Sequence, residues 1–102
     1  MDIKELTQRM HEFVSSKGWY QPDSLRPQSL RNLAISLSLE ASEVLEHFQW
    51  GKSNPDESEL AGELADVALY LLQIASIAGI DLEEAILQKL ELNYTRQWDK
   101  PE

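Results

Sequence analysis

Cysteine is absent from this 102-residue chain, which removes disulfides, thiolate metal sites and a cysteine nucleophile together. Histidine is nearly as scarce. Only His11 and His47 occur, and neither has a Glu three residues before it, so the paired Glu-x-x-His motifs of a di-iron bundle are missing. Basic residues are few, nine Lys and Arg against 18 Asp and Glu, for a net charge of −9. A surface of that sign repels a nucleic-acid backbone or an anionic membrane, so neither is expected as a partner. No uninterrupted apolar run approaches membrane-spanning length. The opening MDIKELTQRM is charged where a signal peptide would be apolar, and a cytoplasmic location is expected. No segment alternates with period two, and no repeat or low-complexity tract breaks the chain.

What remains is a balance of 42% hydrophobic and 26% charged residues, which suits one folded domain over residues 1–102. Its punctuation is helical throughout. Asp2 with Glu5 forms a capping box for a first helix that carries Ile3, Leu6, Met10, Phe13 and Val14 on one face and stops before Gly18. Two prolines make GWYQPDSLRPQ, residues 18–28, a loop. A second helix is expected from Ser29 or Leu30 to Gly51. Asn54 and Pro55 then suit the cap and first position of a third, which runs to about Ala78. Gly79 stops it, Asp81 with Glu84 starts a fourth, and that one ends near Arg96. The expected architecture is an all-α bundle of four helices. Gly62, inside the third helix beside Glu63, costs about 1 kcal/mol relative to Ala and calls for a packing or site explanation.

At 100° per residue, with Glu40 at zero, Leu33, Leu37, Ala41, Val44 and Phe48 cover about 20° to 100° of the second helix, and Leu45, Ile35 and Leu39 lie on the far side. Glu40, Glu43, Ser36, Asn32 and His47 share the narrow sector between, at roughly −80° to 0°. The third helix repeats this design: with Glu63 at zero, Leu60, Leu64, Val67, Leu71 and Ile74 make the stripe, and Asp66, Tyr70 and Glu59 lie within about 60° on its other side. Two pairs of acids at i and i+3, each at the edge of an apolar stripe, should therefore converge. Like charges brought together in a half-apolar groove repel and resist ionisation. A hard divalent cation such as Mg²⁺ or Mn²⁺ offsets both effects, because it prefers carboxylate oxygens and keeps positions open for water and phosphate.

Glu40-Ala-Ser-Glu43, followed by Glu63-Leu-Ala-Asp66, resembles the ExxE…ExxD signature of the MazG-like, all-α nucleoside triphosphate pyrophosphohydrolases. The flanking RNLAISLSLEASEVLEHFQW, GELADVALYLL and GIDLEEAILQKLELN resemble the family in order and spacing over nearly the whole chain. The resemblance implies Mg²⁺-dependent hydrolysis of a (d)NTP to monophosphate and pyrophosphate in nucleotide-pool cleaning, by a homo-oligomer, dimer or tetramer, of helical bundles. It implies that Glu40, Glu43, Glu63 and Asp66 are the metal ligands and the catalytic set, that Lys89 and Asn93 help hold phosphates, and that Trp50 and Trp19 contact the nucleoside. Lys52 and Arg96 are further candidate cations for the outer phosphates, and Asn32 and Tyr70, on the acid sides of their helices, are candidate substrate contacts.

Packing alternatives stay open for several of these: Trp50 suits a core or interface as well as a base platform, Lys52 and Lys89 suit solvated helix ends, and Tyr70 suits a purely internal hydrogen bond. The chain departs from the family pattern in its longer loop YQPDSLRPQSLR, where a common histidine is replaced, with Gln28 the nearest counterpart. It also departs in YTRQW after Asn93. A non-catalytic helical module that binds nucleotide or a protein partner is the rival reading, although clustered carboxylates give a scaffold no advantage.

Overall fold

The structure is a computed structural model that describes residues 1–51 and 56–99. Among these it has four α-helices and no strand. Helix α1, Ile3–Ser16, begins where the Asp2 carboxylate accepts the Glu5 N–H at 2.8 Å, and it ends in a turn that Gly18 completes at φ +74°. Helix α2, Leu30–Glu46, is capped by Ser29, whose hydroxyl accepts the Asn32 N–H at 3.2 Å. Helix α3, Glu57–Ile77, starts from Asp56, and α4, Leu82–Thr95, from Asp81, whose carboxylate accepts the Glu84 N–H at 3.1 Å.

Two boundaries differ from expectation. The second helix does not reach Gly51. Backbone bonds from His47 and Phe48 reach back three residues, to Val44 and Leu45, and tighten its last turn, after which a 3-10 turn at Gln49–Gly51 holds Trp50 at φ 64°. The cap of α3 is Asp56, which accepts from Ser58 and Glu59 N–H and from the Ser58 hydroxyl, and whose charge suits a helix N-terminus. The expected Asn54 cap and Pro55 start lie outside the described residues.

Helix α3 is the central element, with α2 along one side and α1 along another. The core between them is small: Met10 and Val14 of α1, Leu33 of α2, and Leu72, Gln73 and Ala75 of α3. The chain does not close the expected bundle on its own. Helix α4 meets α3 only marginally and buries none of its residues. The radius of gyration is 16.8 Å, against roughly 13 Å for a compact chain of this length. Large apolar side chains remain open on every helix, including Leu39 and Leu45 of α2, Leu64 and Leu71 of α3, and Leu87 and Leu90 of α4.

By length and composition α3 could cross a membrane, its mean hydropathy reaching 1.5 over 18 residues. Glu63 and Asp66 lie within that helix, however, and it packs against α2 and α1, while most of its apolar stretch stays uncovered in the single chain. Among the described residues, a Cβ added at Gly62 would meet nothing within 4 Å, so none of them packs against that glycine.

Candidate functional site

The acid-bearing sectors of α2 and α3 face each other. Glu40, Glu43 and Glu63 bring one carboxylate oxygen each within 4.8 Å of the others, and all three residues are half-buried. The Oε2 atoms of Glu40 and Glu63 are buried without a hydrogen-bond partner. Such orphaned oxygens are costly, because a carboxylate withdrawn from water loses hydration that nothing replaces. His47 approaches this set, its Nε2 lying 3.7 Å from Glu63 Oε1. Asp66, expected as the fourth member, is exposed and stands outside the group of three, although it is near enough to act on Glu40.

Electrostatics follow from this crowding. Desolvation, and then the neighbouring Glu43, Asp66 and Glu63 carboxylates, push Glu40 from 4.5 up to about 6. Glu63 is also raised, by contact with Glu43 first and by desolvation second, while His47 opposes the shift. An acid whose pKa is raised by folding stabilises the folded state at low pH, and that contribution is lost as pH rises through the folded value. The metal-free protein is therefore expected to lose stability between pH 4.5 and about 6 as Glu40 ionises. Melting temperatures of wild type and Glu40→Gln in EDTA check this: the curves should diverge across that window, and parallel curves would contradict the raised pKa.

Beside the acids, α1, the loop after it, α2 and α3 enclose a cavity of about 580 Å³, a size within the ~300–1,000 Å³ usual for small-molecule sites. Asp66 sits in its wall, so acids and cavity are continuous. Three residues singled out from the sequence, Trp19, Asn32 and Tyr70, line it. Trp19 is held on edge by Phe13, with ring centroids 5.7 Å apart, and is covered by the Arg26 guanidinium at 4.7 Å. That contact gives the loop a cation–π anchor at the cavity wall.

The other expected contacts lie elsewhere. Trp50 is 89% exposed and does not line the cavity, because α2 stops short and the following turn carries its side chain away. Lys89, Asn93 and Arg96 lie on or just after the detached α4 and do not line it either. Arg96 stacks on Trp98 at 4.3 Å, and Asn93 keeps a buried Oδ1 without a partner. Lys52 is outside the described residues.

The sequence reading missed Gln73, the one buried polar side chain among the described residues, which also lines the cavity. The signal was present: Gln73 falls at roughly −80° from Glu63, in the same sector as Asp66 and Tyr70, and it interrupts an otherwise apolar half-helix. Its partners Tyr20 and Gln28 come from the loop, whose path no periodicity encodes.

The model of the MazG-like family matches residues 35–101. The chain is 34% identical over 101 residues to human dCTP pyrophosphatase 1 and 33% identical over 104 residues to the bovine protein of the same name, in each case across 86% of this chain and 55% of the relative. A dATP/dGTP diphosphohydrolase of Salmonella phage PMBT28 is 50% identical over 42 residues, covering 41% of this chain and 14% of the phage protein. The chain thus spans about half the length of the mammalian relatives.

Proposed function

The chain belongs to the MazG-like family, and we propose that it hydrolyses a nucleoside or deoxynucleoside triphosphate to the monophosphate and pyrophosphate, with Mg²⁺, or Mn²⁺ in its place, held by Glu40, Glu43, Glu63 and Asp66. The observation that carries this reading is the group of three carboxylates with two orphaned buried oxygens beside a cavity of nucleotide size. The donor set fits a hard divalent ion, which takes carboxylate oxygens and relieves the repulsion that raises both Glu40 and Glu63 above the usual carboxylate range. The names of the similar proteins, pyrophosphatase for dCTP and diphosphohydrolase for dATP or dGTP, support the same reaction class.

Bound there, the ion would polarise the α-phosphoryl group and neutralise charge on the departing pyrophosphate. The chain supplies the rest. Its acids position the phosphates through the ion, which offsets the repulsion between a polyanion and the carboxylates. Trp19, Tyr70 and Asn32 form walls for the base, and Asp66, between acids and cavity, sets where the base ends and the phosphates begin. We assign Lys52, Lys89, Asn93 and Arg96 to the outer phosphates and Trp50 to the nucleoside. For the α4 residues this requires α4 to be brought to the acids by assembly into a homo-oligomer, dimer or tetramer. The open apolar faces supply the drive for that assembly.

Pyrophosphate release from a panel of NTPs and dNTPs, with Mg²⁺ and with EDTA, tests the proposal. Equimolar monophosphate and pyrophosphate, formed only with metal, is the expected result. Orthophosphate as the first product, or no release from any nucleotide, would refute it.

A further inference from the structure

The loop after α1 does more than close the cavity; it fixes which way the Gln73 amide points. Gln28 donates from Nε2 to the Arg26 backbone carbonyl at 2.7 Å. A carbonyl can only accept, so the Gln28 amide is oriented without ambiguity and presents Oε1 to Gln73. Gln73 must then offer its own Nε2, which donates to Gln28 Oε1 at 2.8 Å and to the Tyr20 hydroxyl at 3.2 Å. That hydroxyl is itself held by His11 Nδ1, whose ring is fixed through Nε2 to Ser76 Oγ at 2.7 Å. Both amide hydrogens of Gln73 are thereby used within the protein. Its Oε1 accepts no hydrogen bond among the described residues and keeps accessible surface, while the residue as a whole is 3% exposed and lines the cavity. An amide oxygen left this way can only accept, so it suits a donor bound in the cavity.

Asn32 adds a second amide on the wall formed by α2. Its Nδ2 donates one hydrogen to the Pro27 carbonyl at 3.0 Å and keeps another, so Asn32 can offer the cavity it lines a donor as well as an acceptor. Gln73, with both hydrogens used, offers only an acceptor to whatever binds there. Bases differ on this point. Cytosine at C4 and adenine at C6 carry an exocyclic amine with two N–H donors, whereas uracil, thymine, guanine and hypoxanthine carry a keto oxygen at the same place, which would meet acceptor with acceptor.

Resting on the reading of the cavity as the base site, we propose that Gln73 is a specificity-determining residue that selects nucleotides whose base carries an amine at C4 of a pyrimidine or C6 of a purine, with Tyr20 and Gln28 as positioning residues that hold its amide in the selective orientation. A site built to pair a substrate donor rejects the analogue that lacks it far more strongly than a merely apolar pocket can.

Calorimetric titration with dCMP and dUMP in EDTA tests this without metal or turnover. The wild type is expected to bind dCMP about tenfold or more tighter than dUMP. In Gln73→Met the ratio should fall to within about twofold, because the acceptor is gone while the volume is kept. Gln28→Ala, a loop substitution that leaves the core intact, frees one amide hydrogen of Gln73 and should narrow the ratio by about threefold or more; it decides the matter if Gln73→Met does not fold. No amine preference in the wild type, a preference that survives both substitutions, or no binding of either monophosphate would overturn the proposal. The hydrolase reading is judged separately by pyrophosphate release. Turnover without amine preference removes only the role of Gln73, and amine preference without turnover removes only the hydrolase.

Discussion

Glu43→Gln is expected to lower turnover by on the order of a thousandfold or more, equivalent to roughly 4 kcal/mol of lost transition-state stabilisation, while making the metal-free protein more stable. Both halves follow from one geometry. Glu43 is the neighbour that raises Glu40 and Glu63 alike, so its charge is the centre of the repulsion. Neutralising it with almost no change of volume relieves that repulsion in the empty site and replaces one of the three carboxylates that converge within 4.8 Å with an uncharged amide, a much poorer ligand for a divalent ion. Melting with EDTA and with Mg²⁺ separates the effects: the variant should melt higher than wild type in EDTA and gain little from Mg²⁺, whereas wild type gains substantially. Asp66→Asn should also abolish turnover but raise the EDTA melting temperature less, since Asp66 stands outside the group of three. Near-normal turnover in either variant would show that the acids are not the metal site.

How far this site could be read from sequence depended on the range of the interactions involved. Helix starts were legible at Asp2, Ser29 and Asp81 because a cap is a contact between a side chain and a backbone N–H three residues on. The meeting of Glu40, Glu43 and Glu63 was legible because helical phase and adjacency alone put two polar sectors face to face. Asp66 shared that phase yet fell outside the group of three, because phase sets direction and not distance. The end of α2 was misjudged for another reason: Phe48 and Trp50 continue the apolar pattern past the point where the backbone tightens into a 3-10 turn, so periodicity outlasted the helix. The cavity was invisible, since one wall is an irregular loop whose path depends on Tyr20 and Gln28 reaching Gln73 across 53 and 45 residues of sequence.

The detachment of α4 was equally illegible, because an apolar stripe specifies that a face will be covered and not by which chain. That ambiguity carries the second large prediction. The chain exposes 8228 Å², about 2,300 Å² more than a compact monomer of its mass, and an excess of that size matches what one partner gives up in an obligate interface. The wild type is therefore expected to be an oligomer at micromolar concentration, with a melting temperature that rises with protein concentration. Leu90→Asp on α4, whose side chain is 50% exposed in the single chain, should leave isolated helices unharmed, since the position buries little within its own chain. Placed in an interface, however, the unpaired carboxylate would cost several kcal/mol, enough to dissociate the assembly and, with so small an internal core, to lower the melting temperature by ten degrees or more. Light scattering with thermal melts reads both quantities. If the wild type is monomeric and Leu90→Asp melts at the same temperature, the apolar faces are not an interface between copies, and α4 has no route to the acids for Lys89 and Asn93 to act at the phosphates.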